Sequence, residues 1–151
     1  MKKIPLTQGK FALVDDDIFE YLNQWKWYAI KSKNTFYARR SIKNPTSSII
    51  MHRFILNVHK NKQVDHINGN GLDNRVCNLR VASNGQNQAN KKTSIKNKSG
   101  FKGVTFLGKK FKSQIKYNGV VIYLGIFKTP EEAHEAYKQA AIKYHGEFAR
   151  W

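Results

Sequence analysis

The first sixty residues contain short apolar runs separated by turn-forming residues, a pattern that favours brief strands over long helices. An acidic run at 15–17 precedes the apolar Ile18 and Phe19. It therefore predicts the capped start of a helix rather than a metal cluster. A second short helix is expected over residues 52–56. Strands are predicted over residues 10–14, 27–30 and 35–40.

The segment 62–92 reads as a strand, a loop, a second strand and a helix. Residues 63–66 form the first predicted strand, and 78–82 return as its antiparallel partner. Between them, the run Asn-Gly-Asn-Gly at 68–71 favours turns and positive φ. Ser83 then stands three residues before Gln86, the spacing of a capping box that starts a helix. The pattern predicts a hairpin with a wide loop, followed by a helix.

The last third of the chain predicts three strands, over residues 101–106, 110–117 and 120–127. Asn118-Gly119 joins the last two as a tight hairpin and pairs Tyr117 with Val120, which puts Ser113 opposite Leu124. One face of this sheet is then apolar and the other basic. Thr129, followed by proline and two glutamates, predicts a helix start, and Gly146 can end that helix. The chain as a whole is expected to be α+β.

The net charge of the chain indicates which class of partner to consider first. With 27 Lys and Arg against 10 Asp and Glu, the formal net charge is +17, and residues 74–130 contain no acidic residue. Such a tract favours nucleic acid, because no amphipathic anchor for an anionic membrane accompanies it. Cys77 is the single cysteine, so we expect a buried thiol, no disulfide and a reducing cytoplasmic setting. No membrane span, signal segment or protein partner is indicated.

Asp65 and His66 are adjacent at the end of a predicted strand. A carboxylate can hold a divalent cation while an imidazole accepts a proton from water, and phosphodiester hydrolysis needs both roles. The alternative is a polar turn in which the two side chains bond each other without a metal. The acid-free basic tract that follows favours the nuclease interpretation.

The segments Val64-Asp65-His66-Ile67-Asn68-Gly69, Asp73-Asn74-Arg75 and Asn78-Leu79-Arg80, with Asn87, resemble the His-Asn-His (HNH) homing endonucleases of the ββα-metal type. The resemblance covers about 30 residues and the preceding His52-Arg53 segment. The resemblance implies that Asp65 is a metal ligand, His66 the general base and Asn78 the residue that orients the imidazole. It makes Asn87 the second metal ligand, and an amide oxygen there favours Mg²⁺ or Mn²⁺ over zinc. We expect basic residues of this region to position the DNA strand, namely Arg75, Arg80, Lys91 and Lys92.

The final third resembles the Apetala-two/ethylene-response-factor (ERF) DNA-binding domain, through Phe101-Lys102-Gly103-Val104, Tyr123-Leu124-Gly125-Ile126-Phe127 and Thr129-Pro130-Glu131-Glu132-Ala133. The resemblance implies a three-stranded sheet that enters the major groove of double-stranded DNA. Lysines stand where the plant domains use arginines, and lysine lacks the bidentate fork that reads guanine. The implied contact residues are Lys102, Thr105, Lys110, Lys112, Gln114 and Lys116.

Together the two resemblances imply a site-specific DNA endonuclease of the homing type. Its nuclease domain would span 1–92, with strands within 1–50 and the ββα core at 62–92, and a basic linker at 93–100 would lead to a DNA-binding domain at 101–151. One alternative is a non-catalytic transcription regulator that uses only the C-terminal domain. Another is an RNA-binding module, which the narrow A-form major groove disfavours.

Overall fold

The computed structural model describes residues 1–32, 35–42, 47–59, 61–94 and 96–151. These residues form two compact units, Met1–Ala82 and Ser83–Trp151. Within the described residues, no helix is long and apolar enough to cross a membrane. The mixed α/β character expected from the sequence is confirmed, with several small antiparallel sheets and short helices.

The first unit is built from three small antiparallel sheets, with strand orders β1-β2, β3-β4-β5 and β6-β7. The predicted strands in the N-terminal region are present, and β1 and β5 add two that the short apolar pattern did not predict. The elements are β1 Lys2–Pro5, β2 Phe11–Val14, α1 Asp16–Asn23, β3 Tyr28–Lys31, β4 Phe36–Ile42, β5 Ser47–Ile50, α2 Met51–Ile55, β6 Gln63–His66, a 3-10 turn Val76–Asn78 and β7 Leu79–Ala82.

The hydrophobic core of the first unit lies between its N-terminal sheets and its two helices. Ile4, Val14, Leu22 and Met51 are almost completely buried there. The acidic run starts helix α1 as predicted, but the carboxylate of Asp15 does not cap it. Instead, Oδ2 of Asp15 accepts a hydrogen bond of 2.7 Å from the backbone N–H of Val76. The start of α1 is therefore tied to the segment that leads into β7.

The second unit contains α3 Asn84–Ala89, β8 Val104–Leu107, β9 Lys110–Tyr117, β10 Val120–Phe127, α4 Pro130–His145 and a 3-10 turn Gly146–Phe148. Its antiparallel sheet has the order β10-β9-β8. Ile115 on the sheet packs with Tyr137, Ala140 and Ala141 of α4. Both predicted capping boxes are present, at Ser83 for α3 and at the residue preceding Pro130 for α4.

A β-bulge in strand β10 changes part of the predicted register. Tyr117 pairs with Val120 as expected from the Asn-Gly turn, but the ladder shifts between Tyr123 and Gly125. Ser113 consequently lies opposite Gly125, so the predicted pairing of Ser113 with Leu124 is wrong. Gly125 has φ +134, a backbone conformation that side-chain-bearing residues rarely adopt, and this permits the bulge.

Helix α3 belongs to the second compact unit, so the boundary between units falls earlier than the predicted domain boundary after residue 92. Within this unit, Nζ of Lys102 donates to the carbonyl oxygens of Ala89 and Lys91, at the end of α3. Nη1 of Arg150 also donates to the Asn90 carbonyl at 3.4 Å. These contacts satisfy carbonyls that the end of a helix leaves unbonded.

The predicted linker at 93–100 includes Ile95, which lies outside the described residues. Its last part forms a hydrogen-bonded turn that leads into β8. The Asn97 side chain donates to the Phe101 carbonyl at 2.7 Å, and Oγ of Ser99 donates to the Val104 carbonyl at 2.8 Å. Cys77 is exposed rather than buried, because it lies in the short 3-10 turn before β7. The prediction of a buried thiol is wrong.

Candidate active site

The end of strand β6 carries the adjacent carboxylate and imidazole. Strands β6 and β7 pair with Asp65 opposite Arg80 and His66 opposite Leu79. Only 4% of Asp65 and 5% of His66 is exposed. A buried carboxylate needs a strong partner. Arg80 is that partner, because its Nε and Nη2 lie 2.9 and 2.8 Å from Oδ2 of Asp65. The hairpin register thus fixes the carboxylate in one orientation.

The imidazole of His66 is held among aromatic rings. The ring of His52, from helix α2, lies perpendicular to it at a centroid distance of 4.9 Å. Tyr37, from strand β4, lies 5.7 Å from the same ring and 5.2 Å from that of His52. Edge-to-face contacts of this kind restrict how a ring can rotate. Two further elements therefore position the predicted general base.

The protonation state of His66 follows from its burial. Burial lowers the pKa of His66, whereas contact with the Asn74 side chain and the charges of Asp65 and Asp73 act in the opposite direction. The net shift is downward, so the imidazole is neutral near pH 7. A neutral imidazole is the form that can accept a proton from water.

The loop between β6 and β7 is closed by its own polar side chains. Oδ1 of Asn68 accepts from the backbone N–H of Asn70, and Nδ2 of Asn68 donates to Oδ2 of Asp73, both at 2.8 Å. Arg75 grips the same carboxylate with two bonds of 2.8 and 2.7 Å and lowers the pKa of Asp73. Asn68 and Asn70 form the loop, as predicted. The site is therefore built on a rigid turn.

The side chain of Asn78 forms hydrogen bonds within this loop. Its Nδ2 donates to the Asp73 carbonyl at 2.8 Å and to Oδ1 of Asn68 at 3.2 Å, and its Oδ1 accepts from the Asn68 N–H at 3.0 Å. These bonds tie the Asn78 side chain to the loop, and its role in orienting the imidazole of His66 stays a prediction. The asparagine whose side chain acts on His66 is the fully buried Asn74.

His52 is a functional candidate that the sequence did not single out. It is 7% exposed, and burial, reinforced by the nearby His66 and Arg53, lowers its pKa to about 3. Its Nδ1 is buried and has no hydrogen-bond partner among the residues that the structure describes. His52 lies in helix α2 and His66 ends strand β6, so no spacing rule within one element connects them. The available signal was the place of His52-Arg53 just before the stretch that resembles the HNH endonucleases.

Residues 57–89 match the family model described as HNH endonuclease. A curated relative from Acanthamoeba polyphaga mimivirus, named as an uncharacterized HNH endonuclease, is 31% identical over 148 residues. The match covers 94% of this chain and 74% of the relative. The chain belongs to the HNH endonuclease family. No solved structure gives a significant match.

Membership in the HNH endonuclease family indicates a nuclease with DNA as its substrate. HNH nucleases generally use a divalent metal ion. The matched segment contains Asp65, His66 and Asn78, and it extends to α3. The buried Asp65–His66 pair thus lies inside the part of the chain that defines the family.

The two metal ligands predicted for this HNH chain come from different units. Asp65 ends β6 in the first unit, and Asn87 lies on α3 in the second. Among the described residues, no group of three or more His, Cys, Asp or Glu side chains could hold a metal ion. A carboxylate and an amide are both oxygen donors, a set that suits Mg²⁺ or Mn²⁺.

Three of the predicted DNA contacts of this HNH chain already have protein partners. Arg80 holds Asp65, and Arg75 holds Asp73 with a third of its side chain still exposed. Lys102 donates to the carbonyls at the end of α3, and burial together with Arg150 lowers its pKa to about 8. The other candidates are exposed or half-buried: Lys91, Lys92, Thr105, Lys110, Lys112, Gln114 and Lys116.

Proposed function

We propose that this chain is a metal-dependent DNA endonuclease of the homing type, with His66 as the general base. The observation that carries the proposal is a neutral, buried imidazole directly beside a buried carboxylate at the end of β6. Family membership supplies the reaction class, hydrolysis of a phosphodiester bond. The restrained rings around His66 support a fixed base rather than a mobile surface histidine.

Each residue of the proposed site has a defined task. His66 accepts a proton from the attacking water, and Asn74 steadies the imidazole. Asp65, held by Arg80, and Asn87 would bind Mg²⁺ or Mn²⁺ through oxygen atoms. When bound, the cation would polarise the phosphate and stabilise the charge that develops on its oxygens. Asn78 keeps the loop closed, so its contribution to the rate is indirect.

The second unit is proposed to read double-stranded DNA. Its sheet lies within the acid-free tract 74–130, and lysines of β9 reach the surface. Phosphate contacts fix the register of a protein on the duplex, while base contacts select the site. A reader attached to a nuclease raises the local concentration of its target and restricts where it cuts.

The test is nicking of supercoiled plasmid by the full chain, with Mg²⁺, Mn²⁺ or EDTA. We expect metal-dependent nicks at preferred positions, and we expect His66→Ala to abolish them while DNA binding is retained. Removing a general base typically lowers the rate 10²- to 10⁴-fold. His59→Ala is the matched control, because His59 is an exposed histidine of the same unit.

Three results would contradict the proposal in whole or in part. If His66→Ala and His59→Ala cut equally well, His66 is not the base. If the wild-type chain binds duplex DNA at nanomolar concentration but does not cut it with any divalent cation tested, the chain acts as a DNA-binding regulator that retains a nuclease fold. Cutting that persists in EDTA would refute the metal requirement alone.

A further inference from the structure

The sheet of the second unit has two unlike faces. Ile115 and Val104 are buried on the face toward α4, together with Ser113. The opposite face, which we call the outer face, is assigned by the strand register, because paired residues lie on the same side of a sheet. The outer face includes Thr105 and Leu107 on β8, Lys110, Lys112, Gln114 and Lys116 on β9, and Val121, Tyr123 and Ile126 on β10.

A row of apolar side chains is exposed along β10 on the outer face. Val121 is 56%, Tyr123 60% and Ile126 45% exposed. These side chains add nothing to the core, which lies on the other side of the sheet against α4. Exposed apolar residues grouped in a row, unlike scattered ones, mark a contact surface.

The β-bulge is the reason that Ile126 belongs to this row. In an uninterrupted strand, Ile126 would point to the same side as Ile122 and Leu124, toward α4. The shift between Tyr123 and Gly125 instead pairs Ile126 with Lys112, on the outer face, while Leu124 packs with the core. A bulge is a common way of re-aiming a side chain at a binding site.

The charge of the outer face selects the class of partner. Each apolar residue of β10 lies opposite a polar residue of β9: Val121 faces Lys116, Tyr123 faces Gln114, and Ile126 faces Lys112. The three strands contain no acidic residue. Lys112 and Lys116 lie four residues apart on β9 and can bond phosphates along the groove, while the uncharged side chains of the outer face meet the base edges.

The dimensions also match a DNA groove. Strands β9 and β10 have eight residues each and so extend about 27 Å. A two-stranded ribbon fits into the major groove of B-form DNA, which is about 12 Å wide. Neither β9 nor β10 contains an arginine, the residue that most often reads guanine in that groove.

Building on the proposed DNA-reading role of the second unit, we propose that the outer face recognises A·T-rich duplex DNA through the major groove. Gln114 bonds N6 and N7 of adenine with its amide, a pairing that fits no other base. Val121 and Ile126, on either side of it along the ribbon, contact the C5-methyl groups of thymine. Lys112 and Lys116 bind phosphates. Thymine methyl groups are therefore part of the recognised surface.

The test removes only those methyl groups. Binding of the full chain is measured in EDTA, which prevents cutting, on three 20-base-pair duplexes: a mixed A·T sequence, the same sequence with uracil in place of thymine, and a mixed G·C sequence. We expect the thymine duplex to bind about fourfold more tightly than the uracil duplex for each methyl contacted, from the free energy of burying one methyl group. The G·C duplex should bind at least tenfold more weakly than the thymine duplex.

Variants assign the effect to the outer face. The double substitution Val121→Ala with Ile126→Ala should bind the thymine and uracil duplexes equally. Val120→Ala is the matched control and should keep the discrimination, because Val120 is also exposed but belongs to the other face of β10. Gln114→Ala should weaken binding to the A·T duplex at least fivefold and leave G·C binding unchanged.

The outcomes separate this inference from the proposed function. Equal binding of all three duplexes by the wild-type chain would overturn the A·T preference and leave DNA binding intact. Equal binding of the thymine and uracil duplexes alone would overturn the methyl contacts. If no duplex is bound, DNA reading by the second unit fails, and the inference fails with it. Displacement of DNA from the outer face by anionic vesicles at lower concentration would identify a membrane as the partner instead.

Discussion

Stability at acid pH provides a direct measure of how His52 is buried. The folded chain lowers the pKa of His52 from 6.5 to about 3, so the folded state keeps the ring neutral where an unfolded chain would bind a proton. The unfolded state therefore binds more protons between pH 6.5 and 3, and stability is lost as pH falls through that range. At pH 5, which is 1.5 units below 6.5, the loss is about 2 kcal/mol, at 1.36 kcal/mol per unit.

The perturbation is His52→Phe, which keeps an aromatic ring against His66 and Tyr37 but cannot titrate. Urea unfolding at pH 7.5 and pH 5 gives the loss of stability for each protein. Fluorescence is recorded in a Trp151→Phe background, so that Trp25 and Trp27 report the first unit alone. The wild-type protein should lose about 2 kcal/mol more than the variant between the two pH values. Equal losses would refute the conclusion that folded His52 resists protonation.

Two further substitutions each test a contact that stabilises one of the units from within. Arg80→Met should destabilise the first unit by about 3–5 kcal/mol in urea unfolding, because the buried Asp65 carboxylate loses its partner; a loss below 1 kcal/mol would show that the carboxylate reaches water. Gly103→Ala should destabilise the second unit by about 1–3 kcal/mol more than Gly108→Ala in thermal unfolding. Both glycines have positive φ, but a Cβ at position 103 would lie 2.0 Å from the Tyr137 ring. Equal effects of the two would contradict the close approach.

The parts of the fold that local chemistry determines were predictable from the sequence. The Asn118-Gly119 turn fixes the start of the β9–β10 register because both residues adopt positive φ. Capping boxes at Ser83 and Thr129 start two helices within one residue of the expected positions. These signals need only a few adjacent residues, and tertiary packing does not override them.

Features that depend on distant residues were not predictable. Strand β5 and strand β1 have no strong alternation and are stabilised by pairing with neighbours. The bulge at Gly125 shifts a register that a simple count from the turn cannot detect. Short strands with weak patterns depend on tertiary context for their existence.

The residue types of the candidate site were predictable from the sequence, whereas the hydrogen bonds and contacts between them were less so. Asp65 and His66 are both buried at the end of β6, and their catalytic roles stay predictions. Asn78 carried the family pattern, yet its bonds close the loop, and Asn74 is the side chain that acts on the imidazole. Four asparagines within a few residues of one another cannot be ranked by type alone. His52 entered the site only through folding.

The ammonium group of Lys102 makes the two proposed activities, DNA cleavage and DNA reading, hard to separate by truncation. It holds the carbonyls at the end of α3 from a position beyond the predicted linker, and Arg150 near the end of the sequence does the same. A fragment of residues 1–92 would contain Asn87 on a six-residue helix without these anchors, too short to persist alone. A deletion meant to remove only the proposed DNA-reading sheet would thus also release the helix that carries a proposed metal ligand. Modular swaps between such nucleases should be made at residue 83, where the second compact unit begins.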